Sequence, residues 1–141
     1  MMKKYIVFIL IALGSLSMVF GGTVSEVVKQ AFEKKFSNAK KVNWDNEKEG
    51  KFEVSFELNK INMSAKFSKD GEWIETASEI SITLLPDISI IDIDRKYSGC
   101  KIMSAYIIEH STKGMYYKVL LKAGNKKPEM FYDEDGFPMT D

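Results

Sequence analysis

One cysteine, Cys100, and one histidine, His110, occur in this chain of 141 residues. Together they supply the nucleophile and base that thiol chemistry needs. No third residue in a recognisable motif is placed to orient the imidazole. Cys100 follows Ser98-Gly99 in what reads as a helix-to-strand turn, where a small side chain fits without further purpose. His110 precedes Ser111-Thr112-Lys113-Gly114, the composition of a hairpin loop, and one histidine builds no multi-histidine metal site. Asp133, Asp135 and Gly136 offer oxygens for calcium, and Asp92 with Asp94 forms a second acidic pair, yet neither carries the ligand series of an EF-hand. Asp-Gly is also ordinary tight-turn chemistry, and Lys69-Asp70-Gly71 holds the corresponding place earlier in the chain. These residue types assign no catalytic, cofactor-binding or metal-ligating position, and a non-enzyme without a cofactor is expected.

The elements that hold these residues are written twice. Phe36-Ser37-Asn38-Ala39-Lys40-Lys41-Val42 is echoed by Tyr97-Ser98-Gly99-Cys100-Lys101-Ile102-Met103, and the two Asp-Gly turns close corresponding strand series. In the first copy Val24, Val27, Val28, Ala31, Phe32 and Phe36 follow the spacing of one apolar helix face, with Thr23 and Glu26 as its capping box. A strand with Val42 and Trp44 on one side follows. Phe52, Val54, Phe56 and Leu58 then alternate with Lys51, Glu53, Ser55 and Glu57, the signature of a half-buried strand. Turns at Asn59-Lys60 and Asp70-Gly71 continue the meander to Ile80. In the second copy Pro86 starts a helix with Ile88, Ile91 and Tyr97 as its buried stripe. The β-branched run Ile88, Ile90, Ile91, Ile93 would equally suit a strand, so the helix rests on the parallel with the first copy. Strands are expected near residues 101–110, 115–123 and 127–133.

Residues 1–21 have the organisation of a signal peptide: a basic start at Lys3-Lys4, an apolar run from Tyr5 to Phe20, and Val19-Phe20-Gly21 as the cleavage site. A retained anchor is the competing reading, but the apolar run is short for a bilayer. Cleavage would leave 18 basic and 20 acidic residues, a formal charge of −2. Interleaved lysines and glutamates with so little net charge exclude the basic field of a nucleic-acid binder. With one cysteine there is no intrachain disulfide, so packing alone must stabilise the fold. The reading is a periplasmic or secreted protein with no stable membrane anchor after cleavage.

Helix, aromatic, short turn, Val-x-Trp strand, further strands and Asp-Gly turn, repeated after Leu-Pro, is a pattern carried here by FSNAKKVNW and LLPDISIIDIDRKYSGCKI. It resembles the exported PepSY-like proteins related to β-lactamase inhibitor protein, over nearly the whole span from Val24 to Gly136. The resemblance implies an α+β protein of two tandem units, 22–80 and 81–141, whose sheets join with the helices on one face and the other face open. It implies no lactamase inhibition.

Strand phase then suggests where function lies. If Tyr117, Val119 and Leu121 face the helices, Tyr116 and Leu120 face away, joined by Phe131, Ile102 and Tyr106. The matching face of the first copy carries Glu53, Ser55, Glu57, Ser64 and Lys66. Clustered aromatics on an open face mark a contact surface for a protein partner, with Tyr106, Tyr116, Leu120 and Phe131 as the partner-binding residues. Packing between the units, or against the C-terminal tail, is the other account of the same residues. A non-catalytic binding or inhibitory module is the leading expectation. A small-molecule or ion-binding protein using a cleft between the units is the alternative, and a Cys100–His110 hydrolase competes behind both.

Overall fold

A computed structural model of the protein describes residues 24–47 and 49–140. The signal segment 1–21 and the Thr23 cap fall outside the described residues. Helix α1 (Glu26–Lys35) begins instead at Ser25, whose Oγ accepts from the Val28 amide at 3.4 Å. Glu26 in its first turn and Lys34 and Lys35 in its last suit the helix dipole. Strands β1 (Lys40–Glu47), β2 (Lys51–Leu58), β3 (Ile61–Ser68) and β4 (Trp73–Ile80) follow as a meander. A 3-10 turn (Ile82–Leu84) leads to α2 (Asp87–Lys96), then β5 (Lys101–His110), β6 (Gly114–Lys122) and β7 (Glu129–Asp133).

All seven strands form one antiparallel sheet in sequence order, β1 to β7. The halves join where β4 pairs with β5, from Glu75↔His110 to Ile80↔Ala105. This is the α+β arrangement expected: two short helices against one sheet. The Asn59-Lys60 hairpin turn has both residues at positive φ, 51° and 66°, as a two-residue turn matched to the strand twist requires.

The helices cover one face of the sheet. Under α1, Val28, Phe32 and Phe36 pack on Val54, Phe56, Ala65 and Phe67, with Trp44 and Trp73 at the margin. Phe32 meets Phe56 and Trp44 edge-on, with ring centroids 5.0 and 5.4 Å apart. Under α2, Ile93 and Leu85 pack on Ala105, Val119, Leu121 and Tyr132. Val27 belongs to the expected α1 stripe but is largely exposed.

The α2 stripe is corrected more fully. The segment is a helix, yet Ile88 and Ile91 are 41% and 66% exposed while Ser89, Asp92 and Ile93 are buried, with Tyr97 partly so. The inner face of α2 is anchored by polar contacts that a hydrophobic pattern does not reveal. Ser89 Oγ donates to the Pro86 carbonyl at 2.6 Å, and Asp92 receives the Tyr132 hydroxyl from β7 at 2.9 Å. Arg95 and Lys96 reach the same carboxylate at 2.8 and 3.0 Å. Burial alone would raise the Asp92 pKa, but the bonds from Lys96, Arg95 and Tyr132 outweigh it and hold the group below its ordinary value.

Candidate functional site

The residues with chemical potential are dispersed. Cys100 immediately precedes β5 and His110 ends it, so the two lie about 33 Å apart at opposite ends of a ten-residue strand. Cys100 packs at the edge of the α2 core, and His110 Nδ1 accepts from the Thr112 amide at 3.1 Å, closing the β5–β6 turn. Asp92 is committed to Tyr132, whereas Asp94, two residues on, is exposed. Asp133 Oδ1 accepts from the amides of Asp135 and Phe137 at 3.0 and 2.8 Å, so its carboxylate organises the turn. Ser68 Oγ does the same for Asp70 and Glu72 at 3.3 and 3.1 Å in the first unit. The turn glycines explain why the motif recurs. Gly71 and Gly136 have φ of +85° and +91°, and each lies against the helix of its own unit, Gly71 on Val27 and Gly136 on Pro86.

The sheet face turned away from the helices is the remaining surface. In the first unit it is polar, with Glu53↔Lys66 and Ser55↔Ser64 as cross-strand pairs. In the second it carries Met103, Tyr106, Ile108, Tyr116 and Leu120, with Ala77 and Phe131 packed alongside. Every member comes from β4 to β7, and neither helix contributes. Tyr106, Tyr116, Leu120 and Phe131 are therefore brought together on this face. Tyr106, Tyr116 and Leu120 are 1%, 9% and 8% exposed, and Phe131 is partly exposed. Ile102, also expected here, packs instead in the α2 core. The β5–β6 register shifts between Ile102 and Ser104, and this bulge reverses the alternation and puts Met103 on the far side.

Charge frames the apolar cluster. Lys66 pairs with Glu75 at 3.2 Å and Lys118 with Glu129 at 3.3 Å. Lys118 Nζ also lies 5.9 Å from the centre of the Phe131 ring, which meets Tyr116 at 6.2 Å. Burial pushes the Tyr106 hydroxyl up to about 12, with the neighbouring Ser104 hydroxyl drawing it partly back and the Glu79 charge adding. Tyr116 is likewise raised by burial and by Glu75, with Lys66 opposing.

A groove of about 550 Å³ opens at one end of this face, at the junction of the units. Sequence reasoning missed its residues. Their only sequence signal is that the first unit ends at Ile80, since the groove depends on where the β3–β4 ladder stops.

A seven-stranded antiparallel sheet with two helices on one face and the other face uncovered by either helix places the chain in the fold class of BLIP-like proteins. Solved structures agree at low sequence identity. A candidate periplasmic protein of Bacteroides eggerthii matches with a TM-score of 0.75 at 15% identity, over 84% of this chain and 88% of that one. A DUF2874 family protein of Bacteroides uniformis matches with a TM-score of 0.72 at 16% identity, over 82% and 86%. A BLIP-like protein of Bacteroides fragilis matches with a TM-score of 0.68 at 19% identity, over 82% and 83%. No family model matches the chain, and no curated protein does.

Proposed function

We propose that the chain is an exported, non-catalytic binding module, periplasmic or secreted, built of PepSY-like units 22–80 and 81–141. It meets a protein partner through the sheet face opposite its helices. The observation that carries this reading is that Phe131 stays partly exposed above a packed cluster of Tyr106, Tyr116, Leu120, Met103 and Ile108, on a face to which neither helix contributes. The buried aromatics form a rigid floor. Phe131, the most accessible of the four, and the Lys118–Glu129 pair beside it are the groups a partner reaches first. The likeness to a BLIP-like protein and to a candidate periplasmic protein supports both the role and the location. Among the described residues no helix is long and apolar enough to cross a membrane.

Capture with the immobilised exported protein from host envelope and secreted fractions tests the reading. A retained protein whose affinity falls by about 1 kcal/mol or more with Phe131→Ala, at unchanged melting temperature, is expected. Retention that is indifferent to Phe131→Ala and to Leu120→Ala overturns the assignment of this face.

A further inference from the structure

An open sheet has two edges, and each presents unpaired backbone donors and acceptors unless something blunts it. The β1 edge is broken from within. Its register shifts between Lys40 and Asn43, Lys41 stands at φ 53°, and Lys40 and Lys41 bring charge to the strand. β7 has none of these devices. Its ladder with β6 runs without a shift from Leu120↔Glu129 to Tyr116↔Asp133, and the strand contains neither lysine nor proline.

What closes the β7 edge is the segment that follows it. After the turn at residues 134–136 the chain runs back along β7, so that Tyr132 faces Pro138 across an antiparallel bridge. The Asp133 amide donates to the Phe137 carbonyl at 2.9 Å, and the Met139 amide donates to the Phe131 carbonyl at 2.9 Å. In that pattern the backbone of Pro138 points away from β7, and proline has no N–H to offer there. The tail thus occupies one edge and presents a poor edge of its own. Its side chains do little to hold it: residues 137–140 are all exposed, Phe137 at 53% and Met139 at 38%.

The two β7 groups that the tail satisfies are complementary to each other. A two-fold axis beside Tyr132 sets a second β7 antiparallel to the first, Tyr132 opposite Tyr132, and brings each Asp133 N–H to the Phe131 carbonyl of the other copy. We propose that the β7 edge is a latent self-pairing surface whose occupant is a second copy of this chain, and that the C-terminal tail holds it closed. Tail and second copy satisfy the same donor and the same acceptor, and the tail prevails because it is tethered beside them at high effective concentration. The inference concerns the edge of the sheet and stands apart from the protein-partner reading, which concerns its face.

Sedimentation equilibrium and amide hydrogen exchange, applied to the exported protein and to a form ending at Gly136, test this. The shortened form should dimerise at least about tenfold more tightly than the parent. Its Asp133 amide should exchange fast in dilute solution and slow as the dimer forms, whereas in the parent it should be slow at every concentration. Met139→Pro in the full chain removes the donor to the Phe131 carbonyl and should also tighten dimerisation, which keeps the matter decidable if the shortened form fails to fold. A folded shortened form, or in its absence a folded Met139→Pro protein, that dimerises no more tightly than the parent overturns the proposal. So does a dimer in which the Asp133 amide exchanges as fast as in the shortened monomer.

Discussion

Tyr132→Phe is a sharp test of the polar latch that seats α2. The Tyr132 ring is fully buried, and its hydroxyl donates to Asp92 Oδ2 at 2.9 Å inside the second core. Phenylalanine keeps the ring and leaves no large cavity, so the loss is that of one hydrogen bond to a charged group, about 1.5 to 3 kcal/mol. The pH dependence fixes its character. The folded pKa of Asp92 lies below its ordinary value of 3.8, so the carboxylate contributes stability that is fully present above the unfolded value and lost as pH falls through the folded one. Removing the Tyr132 hydroxyl takes away one of three supports, which moves the folded pKa toward the unfolded value and shrinks the acid-linked loss. Urea unfolding of both proteins at neutral pH and near pH 3 measures this. Tyr132→Phe should cost most at neutral pH and less in acid, and Asp92→Asn should remove this part of the acid dependence. A neutral-pH cost under about 0.5 kcal/mol, or a cost that does not change in acid, would refute the latch.

Phe32→Ala, at the centre of the edge-on aromatic contacts under α1, should lose about 3 to 5 kcal/mol in thermal or urea unfolding. Gly136→Ala places a methyl 2.6 Å from Pro86 Cβ at φ +91° and should destabilise clearly more than Gly114→Ala, where φ is +72° with open space around it and the cost is about 1 kcal/mol. Tyr106 has a raised pKa in the fold, so its contribution is intact below about pH 10 and lost as pH rises toward 12; Tyr106→Phe should flatten the alkaline limb of a stability profile. Cys100→Ser and His110→Ala should leave partner capture unchanged, and loss of capture in either folded variant would restore a chemical role to these residues.

Elements whose burial follows a simple period were legible in the sequence. The alternation of Phe52, Val54 and Phe56 located β2 and its inner face, because each inward position there is apolar and each outward one polar. The same logic placed Tyr106, Tyr116, Leu120 and Phe131 on one face. It failed where packing is not read by hydrophobicity. The inner face of α2 is held by Ser89 and Asp92, whose partners come from its own N-terminus and from β7, so a count of isoleucines points to the wrong side. Ile102 was misplaced because one bulge residue, Met103, reverses alternation and leaves no mark in residue type. A cleft between the units was the alternative expectation, but the residues of the junction groove were hidden for a related reason: it arises where a ladder ends, and register is a property of two strands together.

Because every strand pairs with the strand before it, a chain emerging N-terminus first never holds a finished strand waiting for a partner from the far end. β1 to β4 can zip as successive hairpins against α1 before the second unit has appeared. The one pause falls at β4, whose outer edge stays open until the 3-10 turn, α2 and β5 have followed. During that interval the strand Trp73–Ile80 is the template on which a neighbouring nascent chain would most readily misassemble. Glu75, paired with Lys66 of β3, and Glu79, bonded by Asn62, are the charged side chains of that strand, and charge on an open edge disfavours pairing with a foreign strand.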